Sequence, residues 1–203
     1  MKSFCALAVA VWCLPLMSVS LADEPPAWRK LEIETAIFTE DKVGVFHLEL
    51  EKVANYLGLY TYKTLAAEIK AGNAESRLRA RRYLSLAFQM DPQNIIAKRI
   101  NEMLANGSTE ELETPLPQEP EEFVQGTVRL IKRLQERTEP DALRLAGFLA
   151  LVAADLDPKN EDAVYVAEIF ARKLGDVSPA WKELALGKSP ASPTSPPTQK
   201  PGQ

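Results

Sequence analysis

Asp91-Pro92-Gln93-Asn94 and Asp157-Pro158-Lys159-Asn160 are one four-residue corner met twice, 66 positions apart. Laying residues 77–104 over 143–170 also brings Ala80, Ala87, Ala97 and Glu102 onto identical residues, giving seven identities in 28 positions. Met90/Leu156, Ile100/Val166, Met103/Ile169 and Leu104/Phe170 match in apolar character. Each copy reads as a helix rich in small residues, the corner, and another helix. In this reading Asp91 caps the second helix and Pro92 takes its first position, where a missing N–H costs nothing. A self-similar helical period is the signature of a repeat architecture.

Working outward, residues 75–90 form the helix before the first corner, with Leu78, Tyr83, Leu84, Leu86, Ala87 and Met90 as buried candidates. Before it, Val43, Phe46, Leu50, Val53 and Leu57 recur at helical spacing, predicting a helix over 41–57 capped by Thr39 or Asp41. Gly58 interrupts or bends that helix, and residues 60–71 form the next one, closed by Gly72-Asn73. Further upstream, Leu31-Glu32-Ile33-Glu34-Thr35 alternates apolar and polar residues and predicts a short strand within 31–38. After the third helix ends at Gly107, the stretch 108–120 carries Pro115, Pro117 and Pro120 among acidic side chains and reads as an exposed linker.

The second copy repeats the plan. Residues 121–137 present Phe123, Val124, Val128, Ile131 and Leu134 on one face. Thr138-Glu139-Pro140-Asp141 resembles a capping box opening the next helix. Asp157-Pro158 turns into a helix over 160–174. A last short helix from Ser178 is expected to dock Trp181 and Leu184 on the third helix of this copy.

The fold class predicted is mostly α: a short α-solenoid of helical hairpins, two copies of a three-helix unit, with a short β segment near the N-terminus. The domain boundaries are 1–22 signal peptide, 23–40 extended segment, 41–107 unit one, 108–120 linker, 121–187 unit two and 188–203 tail. The signal reading rests on Lys2, the apolar run Phe4–Met17 and the small residues Ser20 and Ala22, with cleavage after Ala22. The alternative is an uncleaved anchor, since Phe4–Leu21 carries no charge. Cleavage leaves 181 residues, no further membrane-spanning run, a formal charge of −5 and no cysteine, because Cys5 and Cys13 depart with the signal. The tail, rich in proline, serine and threonine, has nothing to bury.

These facts narrow the chemistry. The acidic balance argues against nucleic acid as partner. His47 is the only histidine, so no cofactor, metal site or Ser–His pair is expected, and an enzyme is not the favoured reading. Arg77, Arg79, Arg81 and Arg82 form a basic cluster, either a patch for an anionic partner or a solvated face pairing with Glu75. Gln125, Arg129, Lys132, Arg133 and Glu136 share one face of the helix over 121–137, where solvation alone is a sufficient explanation.

Ala87-Phe88-Gln89-Met90-Asp91-Pro92-Gln93-Asn94 and Ala153-Ala154-Asp155-Leu156-Asp157-Pro158-Lys159-Asn160 resemble the close of a tetratricopeptide repeat, with Ala80 and Ala146 at the family's preceding small-residue position. Small residues let paired helices approach closely. Glu68, Leu134 and Arg137 depart from the family's first-helix pattern. The resemblance implies a noncatalytic protein-interaction module binding a protein or peptide partner. It implies a groove lined by residues 60–71 and 121–137, with Gln125, Arg129, Lys132 and Arg133 as the partner-binding face. A structural or packing protein of the cell envelope is the alternative, and an unrecognised hydrolase a more distant one. The expected location is secreted or periplasmic.

Overall fold

A computed structural model describes residues 28–32, 37–38, 44–108, 110–174 and 178–186. The protein is mostly helical, and no strand occurs among the described residues. A 3-10 turn at Gly44–Phe46 leads into α1 (His47–Tyr60), which continues through π-helical turns at Thr61–Leu65 into α2 (Ala66–Lys70). There follow α3 (Ala74–Met90), α4 (Ile95–Ala105), α5 (Pro120–Gln135), α6 (Pro140–Leu156), α7 (Glu161–Leu174) and α8 (Ser178–Ala185). The expected signal peptide, the tail over 188–203 and the capping residues Thr39 and Asp41 lie outside the described residues. So does the centre of the expected strand; its flanks Leu31, Glu32, Ile37 and Phe38 are not in a strand.

The backbone of α3 and α6 follows the 66-residue offset. Helices α3 and α6 are each 17 residues long, and both their limits differ by 66. Thr61 and Thr127 stand in the same relation, both buried with hydroxyls that find no partner. The corners also agree bond by bond. In the first, Asp91 Oδ1 accepts from Gln93 N at 3.0 Å, and Asn94 Oδ1 accepts from Ala97 N at 2.8 Å. In the second, Asp157 Oδ1 accepts from Lys159 N at 3.2 Å, and Asn160 Oδ1 from Ala163 N at 3.0 Å. The helix cap is therefore Asn94 rather than Asp91, and Pro92 belongs to the turn. Asp91 has extended backbone and ends α3, its N–H reaching Ala87 O, so it cannot also open α4. The expected capping box at Thr138 does not form either: Pro140 takes the first helical position, but Glu139 makes no side-chain cap and pairs with Arg137 instead.

Gly58 does not break α1. A Cβ there would lie 3.2 Å from Ile96 Cγ2 and 3.4 Å from Ala97 N, so the glycine lets α4 come close. Gly58→Ala should be near-neutral, its gain in helix propensity of about 1 kcal/mol offset by pushing Ile96 aside. Gly58→Val has no such relief against the Ala97 backbone and should cost about 2 kcal/mol. Urea midpoints of the two variants check this; a valine variant as stable as wild type would remove the close-approach argument.

One apolar core runs through both copies. The third helices pack differently, α4 mainly on α1 and α7 mainly on α6. The N-terminal arm instead bridges α3 and α4. Asn101, 2% exposed, accepts from Leu31 N at 3.0 Å and donates to Leu31 O at 2.9 Å. Its oxygen also accepts from Trp28 Nε1 at 3.3 Å, while Gln89 takes Ile37 N at 2.9 Å. Helix α8 docks on α3, not on the third helix of the second copy. Trp181 stacks on Phe148 of α6, with ring centroids 5.9 Å apart.

Between the two copies, α8 packs on α3, Asp155 of α6 meets Tyr83 and Arg79 of α3, and α1 touches α5. Phe46 and Glu49, at the start of α1, touch Arg133 near the end of α5, whereas Tyr56, further along, stacks on Phe123 near its beginning. Helices α1 and α5 are thus antiparallel, where a head-to-tail stack would set them parallel. The stretch between copies is also less free than expected: Leu112 is buried, Lys63 Nζ donates to Leu112 O at 2.9 Å, and Tyr62 donates to Glu110 O at 2.6 Å. Leu78, expected inside, is 39% exposed. No helix among the described residues is long and apolar enough to cross a membrane.

Candidate functional site

Helix α5 owes its position to a strongly two-sided sequence. Phe123, Val124, Val128, Ile131 and Leu134 are buried against the core. Pro120 fits the first turn without losing a hydrogen bond. Glu121 and Glu122 near the helix start, and Lys132 and Arg133 near its end, suit the helix dipole. Because α1 lies antiparallel beside it, the seam between them carries side chains from both.

That seam opens into a groove of about 320 Å³. Val53, Phe123, Thr127 and Leu130, each under 9% exposed, form its floor. Glu49, Lys52, Gln118, Arg129 and Arg133 line its walls. Arg133 is committed within the fold: Nη1 lies 3.0 Å from Glu49 Oε1, and the guanidinium sits 4.8 Å from the Phe46 ring centre. The hydrogen bond from Arg133 is the main cause holding the Glu49 carboxyl below its ordinary pKa. Arg129 and Lys52 form no ion pair among the described residues, leaving the groove locally cationic.

Of the four residues expected on the contact face, Arg129 and Arg133 come to this groove. Gln125 and Lys132 are exposed on α5 but do not line it. The partner wall is residues 49–53 rather than the expected 60–71. Residues Tyr62, Lys63, Ala66 and Lys70 face Ser108 and residues 110–112 instead, across a cleft of about 640 Å³. A neighbouring cleft of about 760 Å³ lies between Trp28, Ile69, Lys70, Arg77 and Leu104. Glu49, Lys52 and Gln118 were invisible to sequence reasoning, because only the long-range docking of α1 on α5 gives them meaning.

Three arginines of the basic cluster on α3, Arg79, Arg81 and Arg82, make their contacts within the fold. Arg79 Nε lies 3.1 Å from Asp155 Oδ2 on α6. Arg81 donates to Ala185 O at 2.5 Å and to Arg29 O at 2.8 Å, over the Trp28 ring. Burial is the first cause lowering its pKa. Arg82 covers Trp181 at 5.8 Å. The guanidiniums tie the arm, α8 and α6 onto α3, using planar stacking that lysine could not supply. His47 is exposed at the first position of α1. No family model, no curated protein and no solved structure matches this chain.

Proposed function

We propose that the chain is an exported, noncatalytic protein-interaction module whose contact surface is the groove between α1 and α5. The observation that carries this reading is the cationic wall, Arg129 with Lys52, above an apolar floor on the first helix of the second copy. The tetratricopeptide resemblance expects the groove-lining helix at the same place. Export rests on Lys2, Phe4–Met17 and Ser20-Leu21-Ala22.

The architecture behind this reading is two related three-helix units. The antiparallel contact of α1 with α5 supports their pairing about an approximate two-fold axis rather than their succession in an open solenoid. In such a pair the concave face of a continuous array is absent, and the seam between units becomes the natural place for a partner.

Crosslinked capture of partners by the tagged full chain from its exported fraction tests the reading. Arg129→Glu is the informative variant, because Arg133→Glu would set a second carboxylate against Glu49 and disturb the fold. Wild type should enrich a partner that Arg129→Glu loses at least about tenfold. Equal capture by both, or N-terminal sequencing that finds the chain uncleaved in the cytosol, would sink it.

A further inference from the structure

One feature of the α1–α5 groove, the glycine in its wall, is not demanded by packing. Gly126 sits inside α5, where glycine is unfavourable relative to alanine. Yet a Cβ there would meet only Arg129 Nη2, at an ordinary 3.8 Å, so packing does not demand the glycine. What the missing Cβ does is deepen the groove beside Phe123. Next to it, Thr127 is 2% exposed and its hydroxyl has no hydrogen-bond partner, a feature it shares with Thr61, 66 positions earlier. A buried hydroxyl without a partner is uncommon in native proteins.

We infer that this groove receives an aspartate or glutamate side chain from an extended, acidic and leucine-bearing segment of the partner protein. The carboxylate enters beside Gly126, accepting from the Arg129 guanidinium, while a neighbouring apolar residue lies against the floor at Phe123 and Leu130. Volume and charge select this occupant. At about 320 Å³ the groove is of side-chain scale, at the bottom of the range for small-molecule sites. Its one carboxylate, Glu49, is already paired with Arg133, so the charge left for a ligand to meet is that of Lys52 and Arg129. Arg129 can offer two parallel N–H donors to a carboxylate, which gives the contact direction as well as attraction. This inference rests on the protein-interaction reading and specifies its partner.

The test is a display library of random dodecapeptides selected on the immobilised full chain, followed by fluorescence anisotropy of the enriched peptides. Those peptides should carry Asp or Glu beside Leu, Ile or Phe, and their binding should weaken as salt is raised. Arg129→Glu should lower affinity at least about tenfold. Gly126→Ala should raise the melting midpoint by about 3 °C while weakening binding, because it improves the helix and fills the groove. That opposed pair of effects would not arise from a purely structural glycine. Gly126→Leu, checked for folding by circular dichroism, should abolish binding.

Enrichment of peptides without carboxylates would overturn the inference, as would affinities unchanged within about twofold in Gly126→Ala and Arg129→Glu. Failure to enrich any peptide overturns it too. If wild type and Gly126→Leu capture the same native partner equally, the groove assignment falls while the interaction reading stands. If wild type captures nothing specifically, the interaction reading itself falls.

Discussion

Replacing Asn101 with leucine should lower the melting midpoint by about 10 °C. The side-chain amide of Asn101 stands in for a neighbouring strand: it gives Leu31 both an acceptor and a donor and takes the Trp28 indole N–H as well. Leucine fits the volume but leaves three buried polar groups without partners, each costing about 1–3 kcal/mol if they stay buried. They need not stay. Release of the arm into water caps the loss at the free energy of docking Trp28 and Leu31, which sets the net figure nearer 3 kcal/mol in total. The two routes differ in a second measurement. If the arm detaches, trypsin should cut at Arg29 and Lys30 well before the body of the protein unfolds. Trp28→Phe, which gives up only the 3.3 Å bond and part of the ring under Arg81, should cost about 1 kcal/mol. A leucine variant that melts within about 2 °C of wild type, with the arm still protected, would show that Asn101 does not anchor it.

The helical grammar was legible because it is local. Asp-Pro-x-Asn carries its own hydrogen bonds, small residues mark close helix pairs, and the offset of 66 fixes where α6 must begin once α3 is placed. What misled was competition between neighbouring residues for one role. Asp91 and Asn94 are both good caps, and the cap falls to Asn94 because α4 begins at Ile95 and Asn94 Oδ1 accepts from Ala97 N. Gly58 looks like a breaker in sequence and becomes a contact point only when Ile96 is seen against it. The candidate site was half legible. Arg129 and Arg133 lie on a visible helical stripe, but their partners Lys52 and Glu49 stand about 80 residues away, and no periodicity reports a docking that remote. The arginines of α3 were misplaced for the same reason. Asp155, Trp28 and Ala185 turn them inward, and each is distant in sequence.

Asp155→Ala should cost about 3 kcal/mol and Tyr83→Phe about 1.5 kcal/mol, with the double variant losing clearly less than their sum. Asp155 on α6 accepts the Tyr83 hydroxyl and pairs with Arg79, both on α3, so one carboxylate joins the two corner-bearing helices. The ion pair is partly open to water, each side chain 32% exposed, and contributes little by itself. The larger penalty comes from Tyr83, wholly buried, whose hydroxyl would keep no acceptor after Asp155→Ala. In Tyr83→Phe that hydroxyl is gone, so removing Asp155 from the phenylalanine background should be cheaper by about 1–2 kcal/mol. Alkaline titration gives an independent sign. Burial first, then the Asp155 charge, raises the Tyr83 pKa far above the ordinary value. The folded state therefore holds a proton that the unfolded chain releases near pH ~10. Stability from this group is whole below that pH and is lost as pH rises beyond it. Tyr56 and Tyr60, raised mainly by burial, add to the same decline. Urea unfolding of wild type should weaken steadily from about pH 10 upward, and Tyr83→Phe should show a shallower slope. Equal slopes in the two proteins, or additive losses in the double variant, would mean that the Tyr83 hydroxyl and Asp155 do not act together in holding α3 to α6.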